Sequence, residues 1–365
     1  MIGVGIIGAN PGRGWAATAH IPALQALPDY EIRALSSTRQ ESADTAGSAF
    51  GVPLTFSDHM ALVNRPEVDL VAVTVKAPHH FELVTAALNA GKSVYCEWPF
   101  GADLKQAQAM ADLAADKRVT TVVGLQGRQA PAIRYARDLI ADGYLGEVLS
   151  TTLIGLQGAG EEVTRANAYM LEDANGANLL TIGIGHSVDT MNFVLGEFDE
   201  LSAVAAIRRP RMVISETGEQ VVKTAADQIA VVGSLVSGAV ATVHARDAVA
   251  GGTGLLWEIN GAKGTLRITA PGGLPGIFPL TISGSQGAGE VLELEVPVRY
   301  DLEVAELSGL AGHPAYNVGR TYASFAHDRD HGTHTAPDFA QAVTRHEMLA
   351  AIEESASSGR SVHLR

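Results

Sequence analysis

The first 121 residues alternate short apolar runs, rich in β-branched residues, with longer stretches rich in alanine and leucine. This alternation restricts the fold more than any other feature, because it is typical of repeated βα units in a parallel sheet. Strands are predicted at residues 3–8, 31–36, 69–75, 93–97 and 120–125, and helices at 15–26, 40–50, 81–90 and 104–116. The sequence therefore predicts a doubly wound α/β domain over residues 1–128.

The pattern changes after residue 129, where helices at 130–142 and 179–195 surround a strand at 147–156. Strand-like runs between glycine-rich turns then dominate, at 201–207, 228–235, 239–245, 255–260, 264–268 and 291–296. This pattern predicts an α+β second domain over residues 129–365, built on one large open antiparallel sheet. A last helix is predicted at 339–357, where it could pack back on the first domain.

The formal net charge of −14 argues against direct nucleic-acid binding, because surfaces that bind phosphate backbones are usually basic. Cys96 is the only cysteine, and no basic segment followed by an apolar signal core begins the sequence. The apolar runs, such as 70–75, are too short for a membrane span of about 20 residues. We therefore expect a cytoplasmic protein with no membrane span.

A glycine-rich turn follows the first predicted strand and precedes a helix. Its candidate dinucleotide contacts are Gly8, Asn10, Gly12, Arg13, Gly14 and Trp15. Backbone N–H groups and the positive end of a helix can hold a pyrophosphate at this place, which is where a Rossmann domain binds it. The strict G-x-G-x-x-G spacing is not met, since Asn10 stands at the second glycine position. An ordinary strand-to-helix turn is the alternative.

The second strand ends in Ser37, Thr38 and Arg39, where a protein that prefers NAD usually carries an acidic residue. Hydroxyl groups followed by an arginine suit the 2′-phosphate of NADP. NADP is therefore favoured over NAD, although NAD remains open. Arg39 could instead lie on a solvated helix end.

Four further segments carry a family resemblance: AHIPAL at 19–24, AALNAGKSVYCEWP at 86–99, NGAKGTL at 260–266 and AIEESASSGRSV at 351–362. Together with the glycine turn they resemble the glucose-fructose oxidoreductase, inositol dehydrogenase and MocA family, almost from end to end. The resemblance implies a Rossmann domain joined to a large open sheet, an active site in the cleft between them, and hydride exchange between NAD(P) and a sugar or polyol.

The same resemblance implies catalysis by a lysine in an E-K-P motif and by an aspartate and a histidine near the start of a second-domain helix. Here Glu97 and Pro99 remain, but Trp98 replaces the lysine. The second-domain segment 181–189 keeps His186 and Asp189 but lacks the expected aspartate. This combination resembles the branch that contains the galactose-regulon repressors, which bind dinucleotide and act as sensors.

Two residues are candidates for the remaining proton chemistry. His186 could carry the proton, since imidazole titrates near neutral pH, or it could simply be held at a helix start by hydrogen bonds. Lys76 follows the strand at 69–75, at the sheet edge where α/β proteins bind ligands, so it could supply the missing cation. A surface lysine on a loop is the alternative.

Other polar and aromatic residues are candidate contacts. Pro78, His79 and His80 resemble the family's nicotinamide-side loop. Trp98 offers a face for stacking on a sugar or nicotinamide, and packing at a domain junction is the alternative. The candidate cofactor contacts also include Glu97 and Gln126, and the candidate substrate contacts are Trp98, Arg128 and His186.

Two other chemistries are not predicted. The tract 327–334 contains metal-capable side chains, but its mixed spacing favours a solvated loop, so no metal site is expected. Cys96 lies in an apolar strand and is interpreted as a small core residue.

Two functions follow from these observations. The first is an NAD(P)-dependent oxidoreductase acting on a sugar-like small molecule, assembled as a homo-oligomer through its open sheet. The second is a catalytically silent dinucleotide sensor that binds a protein partner. The first is favoured, because most chains of this architecture are enzymes.

Overall fold

The computed structural model describes residues 1–158 and 160–364, which fold as two compact units. The first unit combines residues 1–126 with 304–344, and the second combines 127–303 with 345–365. The predicted ranges, 1–128 and 129–365, did not anticipate the return of 304–344 to the first unit.

The first unit contains the predicted doubly wound parallel sheet, in the order β3-β2-β1-β4-β5-β6. Its strands are β1 Ile2–Ile7, β2 Tyr30–Ser36, β3 Leu54–Phe56, β4 Leu70–Val73, β5 Ser93–Cys96 and β6 Thr121–Val123. Every residue of β1 and β4 is buried, as expected of parallel strands that helices cover on both faces. This arrangement brings the carboxyl ends of β1, β2 and β4 to one edge of the sheet.

The helices between these strands are α1 Ile21–Ala26, α2 Gln40–Phe50, α3 His59–Val63, α4 His80–Asn89 and α5 Leu104–Lys117. The predicted helix at 15–26 begins with a π-helical turn, Ala16–His20, and continues as α1. The sequence did not predict β3 and α3. Both are short, and α3 depends on a side-chain cap, because Asp58 accepts a hydrogen bond from the Met60 backbone N–H at 2.8 Å.

The second unit begins with α6 Pro131–Ala141, and α7 Gly185–Leu195 follows a π-helical turn at Leu179–Ile184. Its strands are β7 Val148–Leu156, β8 Glu162–Val163, β9 Phe198–Ala206, β10 Arg211–Ile214, β11 Gln220–Val222, β12 Gln228–Leu235, β13 Val240–Arg246, β14 Leu255–Gly261, β15 Gly264–Ala270, β16 Thr281–Gln286 and β17 Leu292–Glu293. A short helix, α8 Arg299–Leu302, ends this part of the chain.

The large sheet has nine strands, in the order β17-β16-β15-β14-β7-β13-β12-β9-β18, where β18 is Val362–His363. The predicted large antiparallel sheet contains one parallel pair, because β7 pairs parallel with β13. β7 lies between β13 and β14, which run in opposite directions, so it must be parallel to one of them. A second, three-stranded sheet, β11-β10-β8, was not predicted.

The segment that returns to the first unit contains α9 Ala315–His331. Its buried side chains include Tyr316, Val318, Tyr322 and Phe325, which join the core formed by β1, β2 and α1. The last helix, α10 Phe339–Ser358, matches its predicted position within one residue, and its Phe339 ring contacts Phe100 of the first unit at 4.2 Å between centroids.

Over residues 1–158 and 160–364, none of the helices is both long enough and apolar enough to cross a membrane.

Candidate active site

The glycine turn after β1 has the tight geometry that a backbone phosphate site requires. Gly8 has φ +106°, and its backbone N–H donates to the carbonyl of Ser36 at 2.9 Å. A Cβ at Gly8 would lie 2.7 Å from Cγ1 of Val75. Only glycine fits here, and the turn therefore lies directly against the chain that leaves β4.

Asn10, which stands at the second glycine position of the usual motif, stabilises the rest of the turn. Its side-chain Oδ1 accepts from the Gly12 backbone N–H at 3.0 Å, and Gly14 adopts φ +97°. Arg13 is exposed at the tip of the turn. Trp15 follows, and its buried indole Nε1 has no hydrogen-bond partner within the described residues. A buried donor without an acceptor is costly, so this N–H is suited to a ligand oxygen.

The end of β2 presents hydroxyl groups and one arginine. Ser37 is half-buried, whereas Thr38 and Arg39 are exposed. Arg39 is the residue before α2, and it forms no ion pair within 1–158 and 160–364. The guanidinium is therefore available to an anion.

The loop after β4 carries four predicted site residues. Lys76, Pro78 and His79 are exposed, while His80 is buried at the start of α4. The His80 ring nitrogens lie 2.8 Å from the Pro99 carbonyl oxygen and 3.0 Å from that of Val75. Burial lowers the pKa of His80 below its ordinary value, although both carbonyl contacts oppose this effect. His80 thus ties the loop after β4 to the loop after β5.

Glu97, directly after β5, is held by a buried histidine that the sequence interpretation treated only as part of a motif. His20 Nε2 lies 2.9 Å from Glu97 Oε1, and His20 Nδ1 lies 2.7 Å from the Tyr322 hydroxyl. We assign the proton to Nε2, because a carboxylate can only accept, so the Tyr322 hydroxyl donates to Nδ1. Burial raises the pKa of the Tyr322 hydroxyl, and the nearby Tyr30 and Glu97 add to this effect. The hydroxyl therefore stays protonated.

The carboxylate of Glu97 also approaches the end of β6. A Cβ at Gly124 would lie 2.8 Å from Glu97 Oε1, so this strand end requires a glycine. Gln126 follows two residues later, is only 1% exposed, and has an Oε1 atom without a partner among the described residues. Glu97 and Gln126 therefore place polar groups at neighbouring strand ends of the first unit.

Trp98 and Cys96, on either side of Glu97, are both buried. Burial and the neighbouring Glu97 raise the pKa of the Cys96 thiol well above its ordinary value, which agrees with the interpretation of Cys96 as a core residue. Trp98 is 5% exposed.

In the second unit, His186 is the second residue of α7 and is 8% exposed. The backbone carbonyl of His186 accepts a hydrogen bond from the Thr190 hydroxyl at 3.0 Å. Thr190 lies one helical turn later, so this contact is local to the helix. The preceding π-helical turn begins with a capping box, in which Asn178 Oδ1 accepts from two backbone N–H groups. These contacts fix where His186 starts the helix.

Arg128 and Asp189 form a buried ion pair with two hydrogen bonds, between Nε and Oδ2 at 2.8 Å and between Nη2 and Oδ1 at 2.5 Å. Arg345 Nε adds a contact to Asp189 at 3.3 Å and binds Glu197 through its two other nitrogens. Burial alone would raise the pKa of Asp189, but the two guanidinium groups outweigh it and lower that pKa. Arg128, predicted to contact substrate, is thus oriented by Asp189.

The tract 327–334 differs from its prediction as a solvated loop, because α9 continues through His331. The helix ends at Gly332, which has φ +67°, and Asp328 then accepts from the backbone N–H groups of Thr335 and Ala336. These bonds inside the chain explain the residue types of the tract. Throughout the described part of the chain, no cluster of three or more His, Cys, Asp and Glu residues is arranged to hold a metal ion.

The structure brings the predicted residues together in two separate groups. In the first unit, the turn at Gly8 contacts the chain after β4, and Glu97 approaches Gly124. In the second unit, Arg128 pairs with Asp189 of the helix that carries His186. The sequence interpretation missed His20, although a histidine inside the otherwise apolar run 19–24 was a signal that it needs a buried partner.

Two family models match the chain. The model of the oxidoreductase family with an NAD-binding Rossmann fold matches residues 2–125, and the model of the Gal80p C-terminal domain matches residues 131–270. The dehydrogenase aclE of Aspergillus oryzae is 32% identical over 346 residues, covering 92% of this chain and 90% of that protein. The chain belongs to the glucose-fructose oxidoreductase, inositol dehydrogenase and MocA family.

Two further comparisons show the range of this family. The galactose/lactose metabolism regulatory protein GAL80 of Saccharomyces cerevisiae is 26% identical over 359 residues, covering 89% of this chain and 82% of that protein. A solved levoglucosan dehydrogenase, in complex with NADH and levoglucosan, superposes with a TM-score of 0.87 at 21% identity, over 99% of both chains. The structural match shows that the fold is shared, and the predicted recognition and fold class are confirmed.

Proposed function

We propose that this chain is an NADP-dependent oxidoreductase that acts on a sugar, a sugar derivative or a related small alcohol or carbonyl compound. The observation that carries the proposal is the strand-end geometry of the first unit. It combines a glycine turn at Gly8, an exposed arginine at Arg39, and an indole N–H of Trp15 that has no partner among the described residues. The names of the dehydrogenase relatives support the same reaction class.

The residues present fit a dinucleotide. The turn from Gly8 to Gly14 would hold the pyrophosphate with backbone N–H groups, and Arg13 would add a positive charge. Ser37, Thr38 and Arg39 would bind the adenosine ribose and its 2′-phosphate. The residues proposed for the nicotinamide side are Lys76, Pro78, His80, Glu97, Trp98 and Gln126. Of these, Gln126 has an acceptor, Oε1, with no partner in the part of the chain that the structure describes.

When bound, the nicotinamide accepts or supplies the hydride. The protein must then position the reacting carbon and move one proton to or from its oxygen. We assign this proton to His186, with Lys76 as a candidate cation for the same chemistry, since Trp98 replaces the lysine of the E-K-P motif. Within the second unit, the Arg128–Asp189 pair holds the helix α7, which carries His186.

Arg39→Ala is expected to weaken NADP binding selectively. The loss of one charge-assisted hydrogen bond to the 2′-phosphate corresponds to about 1.5–3 kcal/mol, or roughly 10-fold to 150-fold in the dissociation constant. NAD affinity should change little, because NAD has no 2′-phosphate. Calorimetric titration of both cofactors measures the difference, and Arg33→Ala, on the same strand and paired with Glu31, is the control. Equal affinities for NADP and NAD, unchanged in Arg39→Ala, would contradict this assignment.

The reaction class is tested by following the absorbance of the reduced nicotinamide with neutral sugars and polyols, in both directions. We expect hydride transfer with at least one of them and NADP preferred over NAD. A second function is favoured by the loss of the E-K-P lysine and by the GAL80 relatives: a dinucleotide sensor that binds a protein. This sensor function replaces the proposed enzymatic function if no hydride transfer occurs while NADP changes the affinity of the chain for a protein partner.

A homo-oligomer is proposed through the outer face of the nine-stranded sheet. Val204, Val232 and Val240 lie on this face and are 68%, 50% and 53% exposed, whereas the neighbours Val231 in β12 and Ala241 in β13 are buried. Exposed apolar side chains that share one face of a sheet are typical of an interface. Light scattering should give a mass of at least two chains, and a monomer at micromolar concentration would contradict the proposal.

A further inference from the structure

The second unit contains a cavity of about 200 Å³ at the carboxyl ends of β7 and β13. Its apolar wall includes Leu171, Met212 and Ala248, which form a small buried cluster of their own. Its polar lining includes Gln157, Lys223 and Asp247. None of these polar residues belongs to the motifs that identify the family.

Lys223 is the most unusual group in this cavity, because it is a lysine that is only 3% exposed. Its ammonium donates to Asp247 Oδ2 at 2.8 Å, which is its one side-chain hydrogen bond within the described residues. An ammonium has three N–H donors, so two remain without an acceptor among the described residues. Buried donors without acceptors are costly, and a ligand oxygen in the cavity would satisfy them.

The chain holds this ion pair in place from several directions. The backbone N–H of Lys223 donates to the carbonyl of Pro210 at 3.0 Å, and that of Asp247 donates to the carbonyl of Asp227 at 2.9 Å. A Cβ at Gly158 would lie 2.6 Å from Asp247 Oδ1, so the carboxylate needs a glycine beside it. The pair is therefore a positioned feature of the cavity and not a mobile surface contact.

A second polar atom in the lining lacks a partner. Gln157 Oε1 is buried and accepts no hydrogen bond within the described residues. It would lie 2.7 Å from a Cβ at Gly183, so it rests on the π-helical turn that precedes α7 and His186. The cavity thus offers both donors, from Lys223, and an acceptor, from Gln157.

The charges of the lining decide the class of ligand. Its ionisable residues are Lys223, Asp247 and Glu162, which together carry one positive and two negative charges at neutral pH. The single cation is already neutralised by Asp247. A carboxylate or phosphate would therefore meet net negative charge, whereas a neutral molecule with several oxygens could accept from Lys223 and donate to Asp247 and Gln157.

We propose that this cavity binds a neutral, hydroxyl-rich small molecule and that the Lys223–Asp247 pair is its polar anchor. The inference rests on the proposed function only in taking the bound molecule as the substrate. The cavity thereby determines specificity: Lys223 donates to neutral polyols and sugars, while the negative charges of Asp247 and Glu162 disfavour acidic ones.

The test uses the full chain with saturating NADP and four probes: levoglucosan, myo-inositol, D-glucose and D-gluconate. We expect at least one of the three neutral probes to bind by calorimetry, and D-gluconate to bind at least about tenfold more weakly. Lys223→Met should weaken the neutral probe at least about tenfold, because it removes a charged donor, while NADP affinity stays unchanged. Lys263→Met, at an exposed lysine of the same unit, should bind like the parent.

Gln157→Leu provides a second variant, because Lys223→Met leaves Asp247 without its partner and could prevent folding. This substitution removes the Gln157 Oε1 acceptor, which has no partner among the described residues. It should weaken the binding of the neutral probe at least about threefold while the fold stays intact. The proposal is overturned if no neutral probe binds at millimolar concentration, if D-gluconate binds equally well, or if a folded variant at either position keeps parental affinity. If a neutral probe binds but no hydride transfer occurs, the proposed reaction is refuted while the proposed binding site stands.

Discussion

His186→Ala is expected to lower kcat by about 10²-fold to 10⁴-fold, the range that general acid–base catalysis supplies. NADP affinity should remain nearly unchanged, because the dinucleotide contacts assigned above belong to the first unit. Hydride transfer should retain a residual rate from the positioning of the bound reactants. Steady-state kinetics and calorimetry on the same preparation would separate chemistry from binding.

His363→Ala is a matched control, because His363 is an exposed histidine of the same unit, on the edge strand β18. It should behave like the parent chain. His186→Gln, which keeps a polar side chain but cannot exchange a proton near neutral pH, should resemble His186→Ala in kcat and lose the dependence of kcat on pH in that range. Loss of fold stability in both variants, with kcat unchanged in the folded fraction, would make His186 a structural residue only.

Asp189→Ala is expected to lower the free energy of unfolding by about 3–5 kcal/mol, the usual loss when one partner of a buried ion pair is removed. Asp189 is 1% exposed and Arg345 is fully buried, so water cannot replace the contact that the Arg345 guanidinium loses in this variant. Arg128 would also lose its ion pair with Asp189. Urea denaturation followed by circular dichroism measures the change, and Asp142→Ala, at an exposed aspartate after α6, should cost far less.

The same ion pair predicts a pH dependence. The guanidinium groups hold the pKa of Asp189 below its value in the unfolded chain, which is about 3.9. Its contribution to stability is therefore complete above that value and is lost as the pH falls through the lower folded-state pKa. The difference in unfolding free energy between the parent and Asp189→Ala should shrink in acid. A difference that stays constant from neutral pH to about pH 2 would show that Asp189 acts by packing alone.

The sequence predicted the elements that depend on local patterns. The helix α2 has its predicted bounds, because a polar strand end precedes it and Gly51, with φ +70°, ends it. The parallel sheet followed from continuous apolar runs such as that of β4. The parallel pairing of β7 with β13 could not follow from alternation, which specifies the faces of a strand but not its neighbours.

The candidate site residues also fall into two groups: those that a local sequence pattern predicts and those that it does not. The glycine turn and Arg39 were visible because each lies within a few residues of a predicted strand end. His20 meets Glu97, 77 positions later, and Lys223 meets Asp247, 24 positions later. No local pattern relates such pairs, so they appear only when tertiary folding brings their elements together. Helix α9 was missed because its last turns, 327–331, contain charged and histidine residues that resemble a loop.

Because residues 304–344 complete the first unit, a chain that grows from its N-terminus cannot finish this unit when residue 126 leaves the ribosome. Until α9 is made, Leu24 and Tyr30 lack the partners Tyr322 and Phe325, and the apolar side of α1 and β2 stays exposed. Such a surface is prone to aggregation and is a natural substrate for chaperones. The glycine turn after β1 therefore belongs to a domain that becomes complete only after residues 304–344 have been synthesised.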